Sequence, residues 1–481
     1  MREFDVIVIG SGAGMSIAAN ALGIGLRVAL VDHGPLGGTC LNNGCIPSKV
    51  LLYPADVVRQ LQDAAIIGVA ARAPRIDFAR VMRRMRSYVD EGREEMERGV
   101  AHTDALTWYR DTGQFVGDYT MQVGAETITA PKIIIAAGAR PLVPPIEGLE
   151  AVGYLDNVSV LQLARAPRSL AIIGGGFIAA EYAHFFSAVG CKTVILERNP
   201  RILKGEEPDI SEIVQRRLGR YVDIRVNYEV VKVEKTRGGK MVTAIDRTND
   251  KVYRFKVQEV MLAAGRRANT DLLKPERTGV QTDARGWIVV NEYLETTKPN
   301  IWALGDAIGK HMFRHTANYE ADVVWTNAFG DHKHQMDYHA VPHAVFTHPQ
   351  VGSVGMTQAQ AEQAGLKIMV GMARYMDVAK GYAMGELDTL VKVIVEQKTG
   401  RILGCHIAGP EAAVLVQAIT YLMHAGDQDY MPLALAQTIH PALSEVVVHA
   451  FGNLAPVGGA HAHDHAREHD HEEDEGHSHE T

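Results

Sequence analysis

The sequence predicts an α/β protein in which two parallel-sheet domains precede a C-terminal α+β domain. Three observations lead to this fold class. Segments 4–34 and 168–199 each read as an apolar strand, a glycine turn, a small-residue helix, a second apolar strand and an acidic residue. Segments 128–141 and 257–270 each contain an apolar strand that ends in Ala-Ala-Gly, with an arginine close behind. From about residue 338 the pattern becomes that of antiparallel strands with helices.

Length and composition fit several folded domains. At 481 residues the chain is too long for one ordinary core, so two to four domains are expected. It is 46% hydrophobic and 22% charged, as soluble globular proteins are. No apolar run reaches the roughly 18 residues that span a bilayer, and the apolar N-terminus is typical of a first strand rather than a signal peptide. These features predict a cytoplasmic protein that does not bind a membrane.

The net charge of −8 comes almost entirely from the C-terminus. Residues 461–481 hold eight acidic residues and one Arg, which leaves about −1 for the rest of the chain. A protein without a basic face is not expected to bind nucleic acid. This tail is predicted to be disordered, and its histidines could bind a metal ion weakly: His461, His463, His465, His469, His471, His477 and His479. No metal site is predicted elsewhere.

The first repeated segment has the pattern of a dinucleotide-binding βαβ unit. Gly10 and Gly12 would form the tight turn that lets a pyrophosphate approach the backbone and the next helix. Asp32 lies 22 residues after Gly10, where a carboxylate can accept from a ribose hydroxyl. The usual third glycine is replaced by Met15.

The second repeated segment implies either a second bound dinucleotide or a unit that is the relic of one. Gly174 and Gly176 are present, and Ala179 is a small residue at the third position. Glu197 ends the second strand, and a carboxylate there favours NAD over NADP because it would repel a 2′-phosphate. The adjacent Arg198 could hold that phosphate instead, but a solvated surface arginine is the simpler interpretation.

Two of the four cysteines lie close together in "GGTCLNNGCIPSKV" (37–50). Residues i and i+5 of a regular helix are too far apart for a disulfide, so Cys40 should precede the helix or occupy a distorted turn. Cys45 would then begin a helix, where a thiolate is stabilised, with Lys49 as a nearby cation. A redox pair, half a metal site and two unrelated thiols are all conceivable, and the metal interpretation is the weaker because zinc sites use a second pair. Cys191 and Cys405 have apolar surroundings that predict burial.

Four motifs in the right order resemble the flavin-dependent pyridine nucleotide–disulfide oxidoreductases. They are "GGTCLNNGCIPSK", the second glycine fingerprint, "WALGD" and "HPALSE", and the resemblance covers about residues 4–452. It implies a glutathione-reductase-like fold, FAD and NAD as cofactors, and a homodimer with composite active sites. The implied domains are FAD-binding (1–148 and 270–337), NAD-binding (149–269) and interface (338–455), followed by the tail (456–481).

The resemblance also implies roles for individual residues. Cys40 would exchange with substrate, and Cys45 would contact the flavin. His440 would be the acid–base, oriented by Glu445, and Lys49 with Glu181 would lie beside the flavin N5. Phe177 matches a lid over the flavin, although a core aromatic is equally compatible. The residues implied to bind the cofactors are Gly10, Gly12, Asp32, Thr39, Lys49, Gly138, Asp306, Ala317, Gly174, Gly176, Ala179, Glu197 and Gly265.

Three members of the family compete as the best match. Glu197, "GCIPSK" and "HPALSE" favour dihydrolipoyl dehydrogenase, with a dihydrolipoyl group, free or on a carrier protein, as the dithiol. Thr438 stands where that enzyme usually has a histidine. "GFIAAEYAHFFSAVG", the "GSGAGMS" turn and "YMDVAKGYAM" resemble mycothione reductase, which normally uses NADPH. Mercuric reductase fits poorly because its C-terminal cysteine pair is missing. A function of another class, metal binding by the histidine-rich tail, is the non-enzymatic alternative.

Overall fold

The computed structural model describes residues 1–72 and 74–457. Among these residues, no helix is both long enough and apolar enough to cross a bilayer. The helices in chain order are α1 (Gly14–Gly23), α2 (Gly38–Asn43), α3 (Cys45–Asp63), α4 (Phe78–Ala101), α5 (Leu149–Val152), α6 (Phe177–Ala188), α7 (Pro208–Leu218), α8 (Thr270–Leu273), α9 (Arg314–Phe329), α10 (Gln358–Gln363), α11 (Ala379–Ala383), α12 (Ala412–Met423), α13 (Met431–Leu435) and α14 (Ser444–Gly452).

The first predicted βαβ unit lies at the centre of a five-stranded parallel sheet. Its strands are Val6–Ile9 and Val28–Val31, which pair in register and are joined by α1. Both are buried along their whole length, which explains why they read as continuous apolar runs rather than alternating ones. Across the sheet the order is Ile301–Ala303, Lys132–Ile135, Val6–Ile9, Val28–Val31 and Leu106–Tyr109.

The second predicted unit forms a four-stranded parallel sheet of its own. Ser169–Ile173 pairs with Lys192–Glu197, and α6 connects the two strands. The order across this sheet is Asp223–Val226, Lys192–Glu197, Ser169–Ile173 and Glu259–Leu262. Both units that the sequence predicted as repeats are therefore built alike.

The second near-repeat joins these two parts of the molecule. After the strands Lys132–Ile135 and Glu259–Leu262, the chain turns at Gly138 and Gly265, whose φ angles are +67° and +118°. The following segments, Ala139–Pro141 and Arg266–Ala268, then pair with each other as an antiparallel ribbon.

Two smaller sheets accompany the parallel ones. The first consists of Arg2–Glu3, Glu126–Thr129, Thr120–Val123 and Gly113–Gly117. The second is an antiparallel meander of Tyr228–Thr236, Gly239–Asp246 and Lys251–Val257.

The C-terminal part is an antiparallel sheet with helices, as predicted. Its six strands, in spatial order, are His343–Val345, Val351–Gly355, Ile402–Ala408, Leu390–Glu396, Ile368–Arg374 and Ala455–Pro456. Helices α12 and α14 pack on this sheet through residues such as Val416, Ile419 and Val446. The domain boundaries at 148, 269 and 337 stay predictions.

One apolar cluster fixes the helices that carry the cysteine segment. Leu51, Leu52 and Ala55 of α3 are buried together with Ala179 and Ala183 of α6. Burying a leucine side chain contributes about 1.5–3 kcal/mol. This packing therefore holds the start of α3 at a constant distance from α6.

Candidate active site

A cavity of about 460 Å³ opens at the carboxyl end of the five-stranded sheet. Such an edge, where the loops after parallel strands converge, is where open α/β sheets bind ligands. Most residues that the sequence analysis selected line this cavity: Gly10, Gly12, Asp32, Thr39, Cys40, Cys45, Lys49, Gly138, Phe177, Glu181, Asp306 and Ala317.

The two cysteines lie on consecutive helices separated by Gly44. Cys45 is the first residue of α3, as expected, whereas Cys40 lies in a short helix of its own, α2. A Cβ at position 44 would come within 2.9 Å of the Thr39 carbonyl oxygen, so only glycine allows the chain to break here. The break places the two thiols close enough for each to change the pKa of the other.

The two thiols differ strongly in acidity. The hydrogen bond from Cys40 lowers the pKa of Cys45 to about 6, and the charge of Lys49 acts in the same direction against the effect of burial. That hydrogen bond and burial raise the pKa of Cys40 above its ordinary value. Cys45 is therefore the thiol that ionises first, as expected for a cysteine at a helix start beside a cation.

Lys49 and Glu181 form an ion pair between α3 and α6. The Lys49 Nζ lies 2.9 Å from both carboxylate oxygens, and Glu181 is only 5% exposed. Its carboxylate also accepts from the backbone N–H of Phe346 at 3.0 Å, and the Phe346 ring lies 4.5 Å from the Lys49 Nζ. Glu181 is thus not a surface carboxylate, and its charge lies beside the Cys45 thiol.

Phe177 begins α6 at the rim of the cavity and is 40% exposed. Of the two interpretations that the sequence allowed, the core aromatic is wrong. Its ring centroid lies 6.3 Å from that of Phe313.

The first glycine turn has the shape that the motif predicts. A Cβ at Gly10, where φ is +99°, would come within 2.1 Å of the Ala136 carbonyl oxygen. Asp32 faces this turn and accepts from the N–H and hydroxyl of Ser11 at 2.7 and 2.6 Å. The close approach of helix and strand is made at Gly14, whose Cβ would lie 2.9 Å from Val8 Cγ1, so Met15 does not disturb it.

The second glycine turn is equally tight and has Glu197 against it. A Cβ at Gly174 would lie 2.4 Å from the Ala263 carbonyl oxygen, and one at Gly175 would lie 2.8 Å from a Glu197 carboxylate oxygen. Glu197 is 7% exposed and accepts from the backbone N–H of Asn199 at 2.7 Å. Arg198 points to solvent. The other selected residues of this unit, Gly176, Ala179 and Gly265, belong to the same turn, helix and strand end.

Three arginines that the sequence analysis did not select also line the cavity: Arg140, Arg266 and Arg314. Arg266 forms an ion pair with Asp306 at 3.2 Å, and burial raises the pKa of that aspartate. Arg314 begins α9, and its guanidinium lies 3.8 Å from where a Cβ of Gly12 would be. The arginine after Ala-Ala-Gly in the near-repeat could have pointed to Arg266, whereas no local pattern indicates Arg314.

His440 and Glu445 form a pair away from this cavity. The His440 Nδ1 lies 2.7 Å from the Glu445 Oε1, and the hydrogen bond from His440 holds the pKa of Glu445 below its usual value. Glu445 also accepts from the Ala442 N–H at 3.0 Å. His440 is 72% exposed and, within the described residues, does not line the cavity that holds the cysteines. One chain therefore orients this histidine but does not bring it to Cys40.

Comparison with known families identifies the chain. The pyridine nucleotide-disulphide oxidoreductase family matches residues 4–321, and the dimerisation domain of that family matches residues 341–451. The chain belongs to the pyridine nucleotide-disulphide oxidoreductases. This membership confirms the resemblance inferred from the four motifs and the glutathione-reductase-like fold class.

Relatives with different activities are about equally similar to this oxidoreductase. Mycothione reductase from Mycobacterium tuberculosis is 34% identical over 461 residues, which cover 94% of this chain and 99% of that protein. Dihydrolipoyl dehydrogenase from Chlamydia muridarum is 33% identical over 454 residues, which cover 92% of this chain and 95% of that protein. A solved structure, the Cu(II) complex of the HOCl-induced flavoprotein disulfide reductase RclA from Escherichia coli, has a TM-score of 0.83 at 29% identity, covering 94% of this chain and 99% of that chain.

FAD and a nicotinamide dinucleotide are the cofactors of this family, and the residues present fit both. Around the first turn, a Cβ at Gly138 would meet nothing within 4 Å, so open space lies above the strand end. Gly176 at the second turn is equally open. Both turns are followed by a helix start, where backbone N–H groups can receive phosphate. The histidines of the tail, for which weak metal binding was predicted, lie outside the described residues.

Proposed function

We propose that the oxidoreductase is an NAD-dependent dihydrolipoyl dehydrogenase. In this reaction a dihydrolipoyl dithiol and NAD⁺ give a lipoyl disulfide, NADH and one proton. Family membership supports disulfide chemistry, and the contact between the Cys40 and Cys45 thiols supports their role as the redox pair. The single observation that carries the choice among family members is the position of Glu197.

Glu197 favours NAD for a geometric reason. Its carboxylate is buried against Gly175 of the second turn and is held there by Asn199. A carboxylate at the end of this strand can accept from both hydroxyls of a ribose, but it repels a 2′-phosphate. The cation that could compensate, Arg198, is exposed to solvent.

The thiols would act in a fixed order because their acidities differ. A substrate thiolate attacks the Cys40 sulfur of the Cys40–Cys45 disulfide, and Cys45 leaves. Cys40 has no S–H while it is bonded to the substrate sulfur, so the charge of Lys49 stabilises the Cys45 thiolate as it leaves, and a less basic thiol leaves faster. The second substrate thiol then attacks the mixed disulfide, and Cys40, the more basic thiol, leaves and takes up a proton.

When bound, FAD would supply the transfer of two electrons from the reduced Cys40–Cys45 pair to NAD⁺, while the disulfide between them forms again and Cys40 releases its proton. The residues that would hold it include Gly10, Gly12, Asp32 and Asp306 around the cavity. Lys49 provides a fixed positive charge beside Cys45, and Glu181 keeps the Lys49 ammonium in place. A preoriented charge of this kind stabilises negative charge that develops during a reaction.

The acid–base residue would come from a second copy of the chain. The Nδ1 of His440 is engaged by Glu445, which leaves Nε2 for proton transfer, but the pair lies away from Cys40 of the same chain. The family's dimerisation domain at residues 341–451 supports a homodimer. We therefore infer two composite sites, each with cysteines from one subunit and His440 from the other.

Initial-rate assays test the assignment of substrate and nucleotide. The purified holoenzyme should oxidise dihydrolipoamide with NAD⁺, and kcat/KM for NADP⁺ should be at least about tenfold lower. A preference for NADP⁺ would contradict the argument from Glu197. If the holoenzyme oxidises dihydrolipoamide with neither nucleotide, the protein is not a dihydrolipoyl dehydrogenase.

Subunit complementation tests the composite site. Homodimers of Cys45→Ser and of His440→Gln should each be nearly inactive. When equal amounts are mixed under conditions that let subunits exchange, half of the dimers contain one subunit of each kind, and each such dimer has one intact site. The mixture should therefore recover about a quarter of the wild-type activity. A mixture as inactive as its parents would place both groups in one subunit.

Reduction of a low-molecular-weight disulfide is the second candidate. The 34% identity to mycothione reductase, over 99% of that protein, favours it. The same cysteines, run in reverse, would reduce the symmetrical disulfide of a small thiol with NADH. Faster turnover of mycothiol disulfide with NADH than of dihydrolipoamide with NAD⁺ would make this the function.

A further inference from the structure

Three potential metal ligands from two distant segments meet on the surface of the protein. Asp337 and His339 precede the strand His343–Val345, and His424 directly follows α12. One ligand atom from each residue lies within 4.8 Å of the ligand atoms of the other two. All three side chains are exposed, and none lines the cavity that holds the cysteines.

The local backbone explains why Asp337 and His339 point the same way. Tyr338 between them is turned inward, where its hydroxyl donates to Glu320 at 2.7 Å. The backbone N–H of His339 donates to Asp337 Oδ1 at 2.9 Å, so a turn holds these two exposed side chains on the same side of the chain. The His339 ring then packs edge to face against His424, with 4.6 Å between the ring centroids.

The hydrogen bonds of His339 leave a place for a cation. Its Nε2 lies 2.7 Å from the Met423 carbonyl oxygen, which can only accept, so Nε2 carries the hydrogen. Its Nδ1 lies 2.7 Å from both oxygens of Asp337, which also only accept when ionised. With its hydrogen on Nε2, the ring turns the lone pair of Nδ1 toward the Asp337 carboxylate, so both groups could bind one cation.

We propose that Asp337, His339 and His424 bind a divalent transition metal ion, with Zn²⁺ as the best match. Two imidazoles and one carboxylate are ligands that Zn²⁺ prefers, and three protein ligands leave one position for water. Ca²⁺ and Mg²⁺ prefer sets of oxygen ligands. The bond from His339 Nε2 to a backbone carbonyl is the arrangement that commonly orients a histidine ligand through its other nitrogen.

The bound ion would connect two parts of the fold. Asp337 and His339 belong to the segment between α9 and the C-terminal sheet, and His424 belongs to the end of a helix packed on that sheet. A metal ion would therefore hold the segment before the C-terminal sheet against the end of α12. This site is independent of the proposed dehydrogenase activity, so either proposal can fail without the other.

Crystallography of the full chain gives the direct test. Crystals soaked in ZnCl₂ and measured on both sides of the zinc absorption edge should show an anomalous peak about 2.0–2.2 Å from one atom of each of the three side chains. Zinc peaks elsewhere in the crystal with none at these residues would overturn the proposal.

Equilibrium dialysis against Zn²⁺ tests binding in solution. The His339→Ala and His424→Ala variants should each bind one equivalent less than the wild-type holoenzyme, whereas His332→Ala, an exposed histidine in the same segment, should bind as much as the wild type. Because all four proteins contain the same tail histidines, zinc bound by the tail adds equally to each and does not affect the differences between them. Equal zinc content in the wild type and in both ligand variants would overturn the proposal, even if soaked crystals show a peak.

Discussion

Replacing Cys40 tests the origin of the unusual acidity of Cys45. The hydrogen bond from the Cys40 thiol is the largest cause that lowers the pKa of Cys45 from 9.0 to about 6. A Cys40→Ala variant loses this donor, whereas Cys40→Ser keeps a hydroxyl that can donate. Because the charge of Lys49 remains, we expect Cys40→Ala to raise the pKa of Cys45 by about one to two units and Cys40→Ser to raise it much less.

The size of the effect follows from the thiolate fraction. At pH 7 a thiol with a pKa of about 6 is roughly 90% ionised, one with a pKa of about 7 is roughly half ionised, and one with a pKa of about 8 is roughly 10% ionised. Alkylation of Cys45 should therefore slow by about two- to tenfold. In each variant, alkylation should speed up as the pH rises through the pKa of Cys45.

Iodoacetamide labelling of the reduced protein between pH 5 and 9 measures this acidity. Mass spectrometry of the peptide that contains Cys45 gives its rate separately from the other thiols. Cys191 and Cys405 serve as internal controls, because burial raises their pKa values to about 11 and about 12. If the half-maximal pH of Cys40→Ala stays near 6, or if Cys40→Ser shifts as far as Cys40→Ala, the hydrogen bond is not the cause.

Four further predictions concern other parts of the chain. Glu181→Gln removes a negative charge that raises the pKa of Cys45, so the half-maximal pH in the same labelling assay should fall, and an unchanged or higher value would contradict this sign. Glu197→Gln keeps a hydrogen-bonding side chain without the charge, and the ratio of kcat/KM for NADP⁺ to that for NAD⁺ should rise about tenfold in steady-state assays; a constant ratio would show that Glu197 does not select the nucleotide. His440→Gln should lower the turnover of dihydrolipoamide by roughly 10²- to 10⁴-fold, whereas a near-normal rate would remove its role as acid–base. A chain that ends at Val457 should oxidise dihydrolipoamide as fast as the full chain. A large loss of activity would show that the tail is needed for catalysis.

Local features of the fold could be predicted because their causes lie within a few residues. The glycine turns at Gly10 and Gly174 follow from their positive φ angles of +99° and +112°, whereas the carbonyl oxygens that leave no room for a Cβ there belong to the distant Ala136 and Ala263. The break between the cysteine helices follows from Gly44, where a Cβ would meet the carbonyl oxygen of the nearby Thr39. The missing glycine at Met15 was a misleading signal, since Gly14 makes the close contact with Val8 instead.

Contacts between distant segments could not be read from such patterns. The environment of Glu181 depends on Lys49 and on Phe346, which comes from a third segment. Whether Phe177 is a core residue or lies at the rim of the cavity depends on the packing around the start of α6. Arg314 approaches Gly12 although the two residues lie about 300 positions apart in the sequence, and the sequence around neither residue indicates this contact.

The sequence by itself determined the order of the strands and helices, the two glycine turns, the cysteine pair and the family to which they belong. Only the tertiary structure decided that Glu181 is buried beside Cys45, that Phe177 lies at the rim of the cavity, and that Arg314 approaches Gly12. The physical reason is the range of the forces involved. Turn geometry is set by neighbours in the chain, whereas acidity and access depend on charges, hydrogen bonds and burial contributed by segments that only folding brings together.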